Sequence, residues 1–214
     1  GGYHLAKATP DKRQFIKNLL EECVAVLIAI DAPALMERQG KWNELINRPQ
    51  QITDIFRTAY QDLDSPRLVI FAPIRCEKYM QTERLSLELI QRIKEEYQVL
   101  LDLFNSKPLS PNVTVVLTPV QTLGNIVLSR VHTEVVAGDK KPQEIPSFHF
   151  RKIEPDARYS PKDTEQPLLY LLRFLLKLHL IKRNWGFFNF VREIFSMDDH
   201  LVFAIKKLSS ECKS

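Results

Sequence analysis

The stretch SPRLVIFAPIRCEKYMQTERL, from Ser65 to Leu85, runs from an apolar segment through a turn carrying Arg75, Cys76 and Glu77 into a charged helix start. An apolar run without polar alternation reads as a strand covered on both faces, which is the mark of a parallel sheet. Two other stretches repeat it, CVAVLIAIDAP (Cys23 to Pro33) and VTVVLTP (Val113 to Pro119), each stopped by proline. Between them lie KWNELINRPQQITDIFRTAYQDL and TERLSLELIQRIKEEYQVLLDLF, the second with Leu85, Leu87, Ile90, Ile93, Tyr97, Leu100 and Leu101 at helical spacing. Strand, crossover helix and parallel strand in this order define an α/β fold, with a mostly parallel sheet and helices on both faces. Ligands of such sheets bind outside the carboxyl ends of the strands. Arg75 and Glu77 at the end of the second strand, with Val120 and Gln121 at the end of the third, are therefore expected to line one cleft.

After Pro119 the texture changes. NIVLSRVHTEVV and SFHFRKI read as two more strands around the polar loop AGDKKPQEIP, an edge ribbon more than another crossover unit. DARYSPKDTEQPLLYLLRFLLKLHLIKRN reads as a turn and a helix capped by Thr164, with Pro167 in its first turn and its end near Asn184. WGFFNFVREIF and DDHLVFAIKKLSSE supply two short closing helices. Residues 1–124 form the α/β core, and residues 125–214 are edge strands and helices packed on the same domain.

Composition narrows the function classes. The 214 residues are 44% hydrophobic and 26% charged, enough for one full core. The charge of +4, from 30 basic and 26 acidic residues, is too mild to call for a nucleic-acid partner. Cys23, Cys76 and Cys212 are odd in number and lack C-x-x-C spacing, which speaks against disulfides or zinc and fits the cytoplasm. The five histidines form no i, i+4 pair, so no metal site is assigned. The longest apolar run, Leu168 to Ile181, is broken by Arg173, Lys177 and His179 and is too short to span a membrane. Neither a G-x-S-x-G elbow nor a G-x-G-x-x-G fingerprint is present. The chain opens Gly1-Gly2-Tyr3 without methionine, so its native start is expected upstream.

The two strand-end motifs, Ile74-Arg75-Cys76-Glu77 and Thr118-Pro119-Val120-Gln121-Thr122, resemble the base-recognition half of a P-loop GTPase domain. In that family an Asn-Lys-x-Asp motif follows one strand and a Ser-Ala-Lys-like motif the next. Within that family the chain resembles the divergent GTPases of bacterial conflict systems. The resemblance covers Gly1 to Gly124 and implies GTP or GDP as ligand, with the Glu77 carboxylate accepting from guanine and Arg75 lying over the base. Ile74 stands where the family has Asn, and Gln121 where it has Lys. Asp31 matches the strand after the second switch, and is equally a turn residue holding its own backbone. GGYHL reads either as the tail of an Asp-x-x-Gly motif or as an expression-tag remnant. Arg75 and Glu77 have a plainer reading too, as groups that cap or solvate the next helix.

The phosphate loop G-x-x-x-x-G-K-[ST] is missing. LMERQGKW offers only Gly40-Lys41, with Leu35 in place of the first glycine and Trp42 in place of the hydroxyl, and reads as a helix-start glycine. Without a phosphate loop the chain is expected not to hydrolyse GTP, and magnesium enters only with an upstream segment carrying that loop. Two readings stand: a guanine-nucleotide switch domain completed upstream and acting through protein partners, or a non-catalytic protein-interaction scaffold on a degenerate GTPase-like frame.

Overall fold

The computed structural model describes residues 10–136 and 143–181. Three strands, β1 (Ala25–Asp31), β2 (Arg67–Ile74) and β3 (Val113–Leu117), form an all-parallel sheet in the order β1-β2-β3. The register pairs Ala25 with Leu68 and Asp31 with Ile74, then Arg67 with Val113 and Phe71 with Leu117. The α/β class and the parallel arrangement are those expected from the three apolar runs.

The first crossover is more broken than its periodicity suggests. Asp31 caps α2 (Ala32–Met36) through its Oδ1, which accepts the Ala34 N–H at 2.9 Å. A turn at Glu37–Gly40 follows, in which Arg38, Gln39 and Gly40 all have positive φ, so Gly40 ends a left-handed turn and does not start a helix. The single helix expected from Lys41 onward is two, α3 (Asn43–Ile46) and α4 (Pro49–Ala59). They part where Arg48 adopts φ 54° ahead of Pro49, because a residue before proline is driven out of the helical region. The second crossover breaks at Tyr97 into α5 (Glu83–Glu96), capped by Thr82, and α6 (Gln98–Asn105).

Both crossovers cover one face of the sheet. Phe56 of α4 meets Tyr60 and Phe104 edge-on at 5.0 and 5.2 Å, and Phe71 of β2 meets Tyr97 at 5.4 Å. Ile28, Ile30, Val69, Leu89, Ile93 and Leu100 fill the rest of this core. The amino-terminal helix α1 (Pro10–Glu22) packs beside α4, and Leu20 reaches the same core. Alternate residues of β2, namely Leu68, Ile70 and Ala72, point to the other face and are buried too, and α7 (Gln166–Ile181) packs against β2.

An antiparallel ribbon, β4 (Ile126–Val136) and β5 (Gln143–Lys152), carries a bulge at Ser129, between the pairs Leu128–Phe150 and Arg130–His149. It is longer than expected, since Gln143 to Pro146 belong to β5 and not to a loop. Helix α7 begins at Gln166, with the Leu169 N–H donating to Glu165 O at 3.0 Å, so Thr164 sits in the preceding turn and is not the cap. The two expected closing helices, WGFFNFVREIF and DDHLVFAIKKLSSE, lie outside the described residues.

Candidate functional site

The carboxyl ends of β2 and β3 stay together beyond the regular ladder. Ile74 bridges Val120 in parallel, and the Val120 N–H donates to Pro73 O at 2.8 Å. The chain then turns at Arg75, whose φ of 54° is a left-handed conformation costing about 1 kcal/mol in a non-glycine residue. The Arg75 N–H donates to Thr122 Oγ1 at 3.1 Å. This turn delivers Glu77 into the loop after β3, where its Oε1 accepts the N–H groups of Leu123 at 2.5 Å and Gly124 at 3.1 Å. Glu77 is only 4% exposed. Gln121 exchanges both backbone hydrogen bonds with Lys162, and the Tyr159 hydroxyl donates to Thr122 O at 2.8 Å. Arg75, Glu77, Val120 and Gln121 are thus gathered at one edge of the sheet, with Glu77 holding the loop closed. Neither charged side chain caps α5, a role taken by Thr82.

Arg75 has three partners remote from it in the sequence. Its guanidinium forms an ion pair with Asp31 Oδ2 and lies 5.3 Å from the ring centroids of both Phe148 and Phe150 on the ribbon. Burial pulls the guanidinium below its ordinary pKa, while the Glu77 charge opposes that pull. Asp31 is itself pinned by Asn47, which accepts the Asp31 N–H at 2.8 Å and donates to Asp31 O at 3.1 Å. Phe148 also meets Trp42 edge-on at 6.0 Å. The signal for the aromatic pair lay in SFHFRKI, where a period of two puts Phe148 and Phe150 on one face. Nothing local to the sequence pointed to Asn47, Leu123 or Gly124.

Beside this cluster Glu37 accepts from Lys78 Nζ at 2.6 Å and from the Tyr79 hydroxyl at 2.7 Å. Burial, and then Glu37, push the Tyr79 phenol well above its ordinary pKa. The Cys76 thiol is buried, donates to Val120 O at 3.5 Å, and is pushed up to about 12, first by burial and then by the Glu77 charge. Since the thiolate is the reactive form, the native protein at pH 8 is expected to leave Cys76 unmodified by iodoacetamide. Peptide mapping after alkylation, with and without denaturant, checks this.

No group of three His, Cys, Asp or Glu among the described residues could hold a metal ion, and no helix among them is long and apolar enough to cross a membrane. A cavity of about 240 Å³ lies at the other end of the sheet, lined by Lys17, Glu21, Asp62, Asp64 and Arg67 among others. No family model, curated protein or solved structure matches the chain.

Proposed function

We propose that the chain is the base-recognising part of a guanine-nucleotide-binding switch, completed by a phosphate loop supplied from upstream. One observation supports the reading: Glu77, from the turn after β2, meets the loop at the end of β3 with its carboxylate, and Arg75 of the same turn meets that loop through its backbone N–H, at the carboxyl edge of a parallel sheet. The chemistry of Glu77 suits a guanine edge, because its carboxylate already accepts two neighbouring N–H groups, those of Leu123 and Gly124. A base would have to take the place of those two amides, so nucleotide binding requires the loop from Gln121 to Gly124 to yield. Arg75 would lie against the ring once the ribbon aromatics release it. The sequence carries no G-x-x-x-x-G-K-[ST] loop, so in this reading the phosphates and magnesium are held by the upstream segment.

Calorimetric titration separates the outcomes. The 214-residue chain is expected to bind GTP weakly and to hydrolyse none, while a longer form with native upstream sequence that contains a phosphate loop binds it tightly with magnesium. Inosine triphosphate, which lacks the exocyclic amine, should bind the longer protein more weakly by about 1–2 kcal/mol, the loss of a hydrogen bond to a charged acceptor. Equal affinity for GTP, ITP and ATP would remove Glu77 from base recognition.

The second reading, a protein-interaction scaffold, is favoured by a different observation. Arg75 and Glu77 are both spent on partners inside the fold, while Phe15, Leu19 and Leu27 stand bare at the surface. Absence of nucleotide binding by the longer protein would select it.

A further inference from the structure

Among the described residues, the outer edge of β1 carries backbone groups without a strand to receive them. In a parallel sheet the N–H and C=O of one residue point to the same side, and successive residues alternate. The Val24 carbonyl accepts from the Leu68 N–H at 3.0 Å, so the even-numbered residues Val26, Ile28 and Ile30 face β2. Ala25, Leu27, Ala29 and Asp31 face outward. Asp31 is satisfied there by the Asn47 carboxamide, which takes its N–H and gives to its C=O. Among the described residues no strand lies beyond β1, and Ala25, Leu27 and Ala29 have no such plug.

The same edge is bare on both faces of the sheet. Leu27 is 50% exposed and Ala29 is exposed on the face where α7 packs against β2. On the opposite face α1 exposes Phe15 (63%) and Leu19 (42%), one turn apart on one stripe. A parallel-sheet edge with no charge, proline or bulge before Asp31 is an uncovered pairing site.

We propose that this edge receives a further parallel β-strand, apolar on both faces, supplied by the polypeptide that precedes α1. The placement of α1 argues for this occupant over a second copy. The helix layer runs α1, α4, α6, each packed on the next, in step with the strand order β1, β2, β3. Helix α4 leads into β2 and α6 into β3, and each connection starts from the neighbouring strand. Helix α1 leads into β1 in the same way, and a right-handed crossover through it sets the preceding strand on the open side of β1. Side chains of that strand on one face would cover Phe15 and Leu19, and those on the other would lie beside Leu27 and Ala29. Asn47 ends the new ladder at Asp31, because it already fills the last outward pair.

Residue-resolved amide hydrogen exchange tests this on the natural protein with its full amino-terminal sequence and on a form beginning at Pro10. In the first, the Leu27 and Ala29 amides should exchange as slowly as those of Ile28 and Ile30. In the second they should exchange at least a hundredfold faster, with Ile28 and Ile30 still protected. Should the shorter form not fold, Ala29→Pro in the natural protein replaces it. Ala29→Pro removes an outward N–H but also fixes φ and crowds Ile28, so the readout is the Leu27 amide: its protection falls while Ile30 stays slow if the added strand is present, and a Leu27 amide as slow as before overturns the proposal. Fast exchange in the natural protein overturns the proposal, as does protection that survives removal of everything before Pro10. Protection that appears only with dimerisation in sedimentation also overturns it, and assigns the edge to a second copy.

Discussion

Gly124→Ala is expected to cost the fold about 3–5 kcal/mol, the range left by steric overlap with backbone that cannot step aside. Gly124 has φ +64°, and a Cβ there would sit 1.8 Å from Ser160 O, 2.2 Å from Ser160 C and 2.8 Å from Pro161 N. Alanine in the left-handed region accounts for about 1 kcal/mol of the loss. The rest comes from moving the Ser160–Pro161 backbone, which lies between two ties to the loop after β3. One is the Tyr159 hydroxyl on Thr122 O, and the other is the Gln121–Lys162 bridge. Each hydrogen bond lost there is worth about 1 kcal/mol. Urea unfolding followed by circular dichroism measures the total. A loss below about 1 kcal/mol would mean that the loop from Ser160 to Lys162 is not seated on Gly124.

Glu77→Ala is expected to cost about 3 kcal/mol, and Glu77→Gln only about 1. The alanine variant strands the Leu123 and Gly124 N–H groups beneath the surface, and hydrogen bonds to an ionised acceptor are worth about 1.5–3 kcal/mol each. The amide oxygen of glutamine keeps an acceptor in place, so it loses the charge and little else. The ranking matters more than either value. If both variants are near neutral, Glu77 is not what holds the loop after β3.

Much of this architecture is written locally. The three apolar runs, each closed by a proline or a polar turn, place β1, β2 and β3, and their alternation with helical periods forces parallel pairing. The strand ends could be named as a meeting place because topology alone brings them to one edge. What the chain does there was not legible. Arg75 and Glu77 look like side chains offered to a ligand until Phe148, Phe150, Asp31 and two loop amides turn out to hold them. Those partners are distant in sequence, and no periodicity reports a contact of that kind. The helix breaks at Arg48 and Tyr97 were missed for a different reason. Apolar spacing carries through both, and at Arg48 the backbone preference of a residue before proline overrides it.

The Arg75 guanidinium joins three stretches that are remote along the chain: the end of β1 through Asp31, the exit of β2, and the ribbon through Phe148 and Phe150. Its grip on the aromatics exists only after β1 and β2 have aligned, because only that register sets Asp31 beside the turn. Closing so large a loop is entropically costly and is rewarded late, so the ribbon is expected to dock near the end of the folding reaction. Contacts formed after the rate-limiting step act on the escape rate from the native state, not on the approach to it. On that order of events the clamp on Arg75 is expected to act as a kinetic brake. Together with the core packing of Leu128 and Val131 it would lengthen the ribbon's stay on the strand ends, and so make the edge that gathers Arg75 and Glu77 less often uncovered.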